Sequence, residues 1–278
     1  MEYYKTDKMK LSIITVNLNN AEGLRKTIES VVAQTFIDFE YIVIDGGSTD
    51  GSVDIIKQYA DKITYWVSES DEGIYNAMNK GIRIANGEYL QFLNSGDWLV
   101  DENVYTQIFS NSFCEDIIYG NRIEVYEDKK EKLNKGHQKS DLLFIDVFRG
   151  DFFHTCAFTK RKLFEQHGYF DEDFKIVSDF GFFLKVIGLG YARVKYIDIP
   201  ISYFDMTGIS KAPQYKPLHD KEIEEIRKKI WPSGIIASYE QYLKYEQYNR
   251  ILKKLKSSKI SRLFFRILYK TLRYLTNN

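Results

Sequence analysis

The chain has 278 residues, 44% of them hydrophobic and 28% charged, which suits one large α/β domain or one domain with a helical extension. The formal charge is zero but uneven. From Lys244 onward ten basic residues face a single acid, Glu246, so that segment carries +9 and the first 243 residues carry −9. An acidic body argues against nucleic-acid binding, and a basic tail points to an anionic surface. Two cysteines, Cys114 and Cys156, lack paired metal-ligand spacing and are expected as reduced thiols.

The first ten residues are polar and charged, with no apolar run of the signal-peptide kind. No run of about 18 apolar residues occurs, so no spanning helix is expected. The expected location is the cytoplasm, peripherally at the inner face of the membrane.

From Lys10 the pattern alternates strand and helix. Residues 11–16 form a short β-branched run of the buried parallel type, and 17–20 a polar turn. Leu24, Ile28, Val31 and Val32 then recur at helical spacing. A second strand over 41–44 ends at Asp45 and a glycine-rich turn. A helix follows with Val53, Ile56 and Tyr59, then a third strand over 63–67. Residues 74–85 have helical periodicity, with Gly87 expected as the C-cap. A fourth strand over 89–93 is closed by Asn94-Ser95-Gly96-Asp97.

Residues 112–150 are less regular and suit loops and edge strands. A strand is expected over 152–158, a helix over 160–167, a turn at 170–173, an apolar helix from Asp179 through Ile187 and a last strand over 193–201. Charged helices follow beyond about residue 215. This order predicts an α/β fold with a mostly parallel central sheet, helices on both faces and a C-terminal helical tail. Ligands of such sheets bind beyond the carboxyl ends of the strands. The polar clusters follow Val16, Ile44, Val67 and Leu93, at those ends.

Four runs carry a resemblance: LSIITVN (11–17), IDGGSTDGS (44–52), SDEGIYNAMNKG (70–81) and FLNSGD (92–97). In this order they resemble bacterial family 2 glycosyltransferases, over roughly residues 9–210. That family has the GT-A (Rossmann-like) fold and inverts the anomeric centre. The Asn-Ser-Gly-Asp version resembles the branch acting in exopolysaccharide and lipopolysaccharide O-antigen synthesis.

The resemblance implies a catalytic domain over 9–212 and a helical extension over 213–278. It implies a nucleotide-sugar donor, a UDP-hexose, and a glycan or lipid-linked acceptor. Asp45 would accept hydrogen bonds from the nucleobase or ribose, with Thr15 and Asn17 lining the same pocket. The family usually has two adjacent acids here, but Gly46 replaces the second; a turn-capping Asp45 is the plainer alternative. Asp71 matches an acid near the ribose and diphosphate, and Asn76 and Lys80 share one helical face. Lys80 either touches the nucleotide or is solvated.

Asn94 and Ser95 stand beside the donor where many relatives carry an Asp-x-Asp metal motif. Asp97 is the remaining carboxylate and the expected ligand for Mn²⁺ or Mg²⁺, which also use substrate phosphates and water. Asp179 matches the catalytic base; an acid at a helix N-terminus is also a common cap. His154 matches a histidine contacting acceptor or diphosphate, with a structural histidine as the alternative. Gly208-Ile209-Ser210 resembles a late loop that closes over the donor.

Over 256–275, basic residues at three- and four-residue steps flank an apolar face, the pattern of a helix lying in a membrane interface. Packing on the catalytic domain, or on a second copy as a homodimer, remains open. The competing reading is a non-catalytic carbohydrate-binding or scaffolding module. A nucleotidyltransferase is disfavoured, since Asn17-Leu18-Asn19-Asn20 is not a glycine-rich basic loop for triphosphate.

Overall fold

The computed structural model describes residues 9–150, 152–208 and 211–257, together with Arg266. The strands are β1 (Leu11–Asn17), β2 (Phe39–Asp45), β3 (Tyr65–Ser68), β4 (Tyr89–Phe92), β5 (Trp98–Leu99), β6 (Ile117–Val125), β7 (Glu131–Asn134), β8 (Ala157–Lys160) and β9 (Val194–Asp205). They form one sheet in the order β3-β2-β1-β4-β8-β6-β9-β5, with β7 attached to β6. The half from β3 to β4 is entirely parallel. Beyond it the sheet is mixed: β8 runs antiparallel to both β4 and β6, and β9 is parallel to β6.

The helices are α1 (Ala21–Val32), α2 (Ser52–Gln58), α3 (Ile74–Ile84), α4 (Val104–Phe109), α5 (Phe144–Phe148), α6 (Arg161–His167), α7 (Ser178–Gly188), α8 (Lys216–Ile230) and α9 (Ser233–Ser257). β1 is buried along its whole length because it is covered on both faces. With the strand period of two, Leu11 and Ile13 join the cluster that holds Leu24 and Ile28 of α1 and Ile56 of α2. Ile14 points the other way, against Gly81 of α3, where an added Cβ would lie 2.5 Å from the Ile14 methyl. On that second face Phe92 meets Phe164 and Phe170 edge-on, a favoured aromatic geometry.

Three local expectations change, and two short elements come in addition. Residues 117–125 form a long buried strand, not a loop or sheet edge. Its polar residues hid it: Arg122 pairs with Glu124 at 2.7 Å and Asn121 bonds Asp198 at 2.8 Å, so both are buried with partners. The strand expected over 152–158 begins only at Ala157, because His154–Cys156 is a turn of 3₁₀ helix. The short β5 and α4 carry too few residues for a periodic signal. Gly87 is not the cap of α3, which ends on Ala85 in extended conformation. Gly87 is needed instead for close approach: a Cβ there would sit 2.5 Å from the Ser12 nitrogen, and its own N–H donates to Ser12 Oγ at 2.8 Å.

The chain divides into two compact units, Met1–Ile226 and Arg227–Asn278. In the first, buried Glu222 of α8 accepts the backbone N–H groups of Lys175 and Ile176, both at 2.9 Å. In the second, α9 exposes Tyr242, Tyr245, Tyr248, Leu252 and Leu255. The amphipathic helix expected over 256–275 lies outside the described residues, except for the end of α9 and Arg266, and so do Ile209 and Ser210. Among the described residues no helix is long and apolar enough to cross a membrane.

Candidate active site

Strand register builds the first part of the site. Asn17 pairs with Asp45, and Asp45 with Ser68, so the last residues of β1, β2 and β3 form one row. Buried Asp45 sits at the centre. Its Oδ1 accepts from Asn17 Nδ2 at 2.7 Å and from Ser48 Oγ at 2.6 Å; its Oδ2 accepts from the Ser48 N–H at 2.9 Å and Ser68 Oγ at 2.6 Å. A carboxylate offers about four lone-pair positions, and neighbours fill them all. Burial pushes the Asp45 pKa up, but the donors of Ser48, Ser68 and Asn17 outweigh it and hold the group below its ordinary value. The side-chain oxygen of Asn17, beside this row, is buried without a partner.

Thr15 does not line the pocket. Strand alternation turns it into the core with Ile13, where it is wholly buried and its hydroxyl donates to the Leu93 carbonyl at 2.8 Å and meets Tyr41 Oη at 3.0 Å. Asp71 approaches the row: a Cβ at Gly46 would lie 3.1 Å from Asp71 Oδ2, so glycine keeps this contact open. Lys80 is not a solvated lysine. It pairs with Asp71 at 2.6 Å and Glu69 at 2.7 Å. Burial opposes its charge, yet the two carboxylates raise its pKa above the ordinary lysine value.

The turn after β4 is fixed from α1. Thr27 Oγ1 donates to the Asp97 carbonyl at 2.7 Å and accepts the Gly96 N–H at 3.1 Å, while the Ser95 N–H bonds the Val16 carbonyl at 3.1 Å. Asp97 is 5% exposed, and among the described residues its carboxylate accepts one hydrogen bond, from the Asp205 N–H at 3.1 Å. Burial pushes its pKa up to about 7, against the opposing pull of that N–H and of His154. The Asn94 side-chain oxygen on the same turn is buried and unpartnered.

These two oxygen acceptors short of donors fit a hard divalent cation. Among the described residues no group of three or more His, Cys, Asp or Glu side chains converges on a metal position. A cation would therefore share Asp97 with donor phosphates and water.

His154 and Asp179 complete the site. His154 Nδ1 lies 2.6 Å from Asp179 Oδ2, and Tyr75 Oη donates to Asp179 Oδ1 at 2.7 Å. Burial opposes charge on both members of the pair. The Asp179 carboxylate still raises the His154 pKa, and the His154 charge with the His154 and Tyr75 hydrogen bonds lowers that of Asp179. Asp97 adds to the rise at His154, which ties the turn after β4 electrostatically to the start of α7.

The segment leading to Asp179 is held from α3. Asn79 exchanges hydrogen bonds with both main-chain groups of Phe170, at 2.8 and 3.0 Å, and Asn76 donates to Glu172 at 2.7 Å. Sequence reading missed the roles of Thr27, Tyr75, Asn79 and Asp205. For Tyr75 and Asn79 the signal was present, since both lie in the run SDEGIYNAMNKG, but a run does not say what its residues touch.

A parallel half-sheet with acids at its strand ends, joined to a mixed half-sheet with helices around it, has the GT-A fold, and the family match makes the chain a glycosyltransferase. The model of glycosyl transferase family 2 matches residues 12–168, more than half of the chain, and the chain belongs to that family. A Mycobacterium tuberculosis protein named "PGL/p-HBAD biosynthesis glycosyltransferase" is 27% identical over 206 residues, covering 72% of this chain and 78% of the relative. Among solved structures, S. aureus TarS 1–349 in complex with UDP-GlcNAc aligns with TM-score 0.60 and 19% identity. That match covers 71% of this chain but only 58% of the TarS chain. The Pyrobaculum calidifontis mannosyltransferase PcManGT, in complex with GDP-Man and Mn²⁺, aligns with TM-score 0.55 and 14% identity over 92% of this chain and 82% of its own. At these identities the two structures speak for the fold alone.

Proposed function

We propose that this glycosyltransferase moves a hexose from a UDP-sugar to a glycan or polyprenyl-diphosphate-linked acceptor in cell-surface polysaccharide synthesis, exopolysaccharide or lipopolysaccharide, with inversion at the anomeric carbon. The observation that carries the reading is the buried pair of His154 and Asp179, 2.6 Å apart at the start of α7, with the under-bonded Asp97 on the turn after β4 acting on the same imidazole through its charge. The uridine donor and the lipid-linked acceptor rest on the family resemblance, since the fold neighbours carry UDP-GlcNAc in one case and GDP-Man in the other.

In this reading the row of Asn17 and Asp45 borders the nucleobase or ribose, with Asp45 held in place by Asn17, Ser48 and Ser68. Asp71, with Lys80 beside it, faces the ribose and diphosphate, and Asn94 and Ser95 border the same space. Asp97 and Asn94 would hold Mn²⁺ or Mg²⁺, which when bound neutralises charge on the departing diphosphate. Asp179 takes the acceptor proton while the acceptor oxygen bonds to the anomeric carbon. The bond to the diphosphate breaks on the opposite face, which gives inversion. The basic tail would keep the enzyme at the inner, cytoplasmic face of the membrane, near a polyprenyl acceptor.

Nucleotide release from a panel of UDP- and GDP-sugars, with Mn²⁺ and a polyprenyl diphosphate acceptor, tests the reading. Release from a UDP-hexose that is lost in Asp179→Asn is the expected result. Sugar binding without release, unchanged by that variant, would support a non-catalytic carbohydrate-binding module instead. Equal flotation of full-length and tail-deleted protein with anionic liposomes would remove the membrane role.

A further inference from the structure

Asp179 is gripped from two sides by elements far apart in sequence. Tyr75 Oη comes from the first turn of α3 and bonds Oδ1; His154 Nδ1 comes from the 3₁₀ turn before β8 and bonds Oδ2. With a side-chain donor on each oxygen and the Phe180 backbone N–H as a further donor, the carboxyl plane cannot rotate without losing a hydrogen bond. About one of its four lone-pair positions stays open, and the side chain remains 18% exposed, so an incoming hydroxyl can reach it. Tyr75 is 4% exposed, and a ring so enclosed does not reach a substrate in this arrangement. His154 has spent Nδ1 on the carboxylate, and its Nε2 is buried without a partner.

We propose that Tyr75 and His154 are positioning residues for the transfer reaction, acting through Asp179 by fixing one carboxylate oxygen each and aiming the remaining lone pair at the acceptor hydroxyl. This rests on the reading of Asp179 as the base. It reassigns His154 from a substrate contact to a support of the base, and it gives Tyr75 a role that its place in the motif did not reveal. The charged groups around the clamp are Asp97 from the turn after β4, which favours a charged His154, and Arg122 from β6, which opposes it. The segment that presents Asp179 is pinned by Asn79 to Phe170 and by Glu222 to the N–H groups of Lys175 and Ile176, so the clamp closes on a carboxylate already held in place.

Asparagine and glutamine at position 154 separate the two ring nitrogens, since an Asn amide can replace the Nδ1 donor and a Gln amide the Nε2 donor. His154→Asn is expected to keep kcat within about tenfold and donor KM unchanged, while His154→Gln loses about 100-fold in kcat. Tyr75→Phe removes a donor to the ionised carboxylate, so the Asp179 pKa rises. The acid limb of kcat/KM then moves up by about one pH unit, because a hydrogen bond to a charged group matches about that shift. Independently of turnover, the His154 imidazole followed by NMR should titrate at lower pH in Asp179→Asn than in the unaltered protein.

A glutamine variant more active than the asparagine variant, or an acid limb unmoved in Tyr75→Phe, overturns the proposal. A His154 titration indifferent to Asp179→Asn overturns it as well, whether or not a donor has been found. An intact titration shift combined with full turnover in Asp179→Asn would instead overturn Asp179 as the base and leave the clamp standing as architecture.

Discussion

The two ends of the active-site edge treat their acids in opposite ways. On the parallel half, Asp45 receives four hydrogen bonds from Asn17, Ser48 and Ser68 and is held ionised. Where the parallel half meets the mixed half, Asp97 is also buried but among the described residues receives one backbone N–H, and its pKa rises to about 7. Two aspartates with similar exposure and the same place at a strand end thus have different physics. A fully satisfied carboxylate has little left to offer a ligand and serves as scaffold, whereas an under-bonded one is costly until a cation or donor arrives. Under the proposed function, unfilled valence, rather than the presence of an acid, separates binding chemistry from framework.

Four perturbations sharpen or break that contrast. The largest effect is expected at the base: Asp179→Asn should cut nucleotide release by about 10²–10⁴-fold while circular dichroism stays unchanged. Next, removing the satisfied acid by Asp45→Ala should cost about 3 kcal/mol or more in urea unfolding, since it strands several buried donors. The sign of its pH dependence follows from the lowered pKa. The Asp45 contribution is present above the unfolded-state value near 4 and is lost as pH falls through the lower folded-state value.

Asp97→Asn should do the reverse. A raised folded-state pKa means that ionised Asp97 costs stability above about pH 4, increasingly up to about pH 7. Removing the charge should therefore raise Tm by about 2–4 °C while Mn²⁺ binding, measured by calorimetry with UDP present, weakens. A fall in Tm would break the contrast. The smallest effect belongs to Thr15→Val, which removes a core hydrogen bond. It should cost about 1 kcal/mol and leave donor KM unchanged; a raised KM would return Thr15 to the pocket.

Much of the fold was legible because β1, β2 and β4 are short apolar runs separated by amphipathic helices, and the polar clusters fall at their carboxyl ends. The second half was harder to read for a physical reason. In β6, Asn121, Arg122 and Glu124 interrupt the apolar pattern, yet they are buried because Arg122 and Glu124 pair along the strand while Asp198 of β9 and Asn134 of β7 satisfy Asn121 and Glu124. Gly87 shows the same limit at one residue. A glycine after a helix suggests a left-handed cap, while the demand here comes from the backbone of β1 passing 2.5 Å from where a side chain would begin.

The sequence alone determined the order of strands and helices, the family resemblance and the set of acids at the strand ends, since these depend on local periodicity and short motifs. Tertiary structure decided which acids are satisfied and which are not. Asp45 and Asp97 look alike in the chain, and only the packing of Ser48, Ser68 and Asn17 around one, and of a single backbone N–H against the other, makes them different. Hydrogen-bond capacity is filled by neighbours in space, and those neighbours lie from three residues away, as Ser48 does from Asp45, to more than a hundred, as Asp205 does from Asp97.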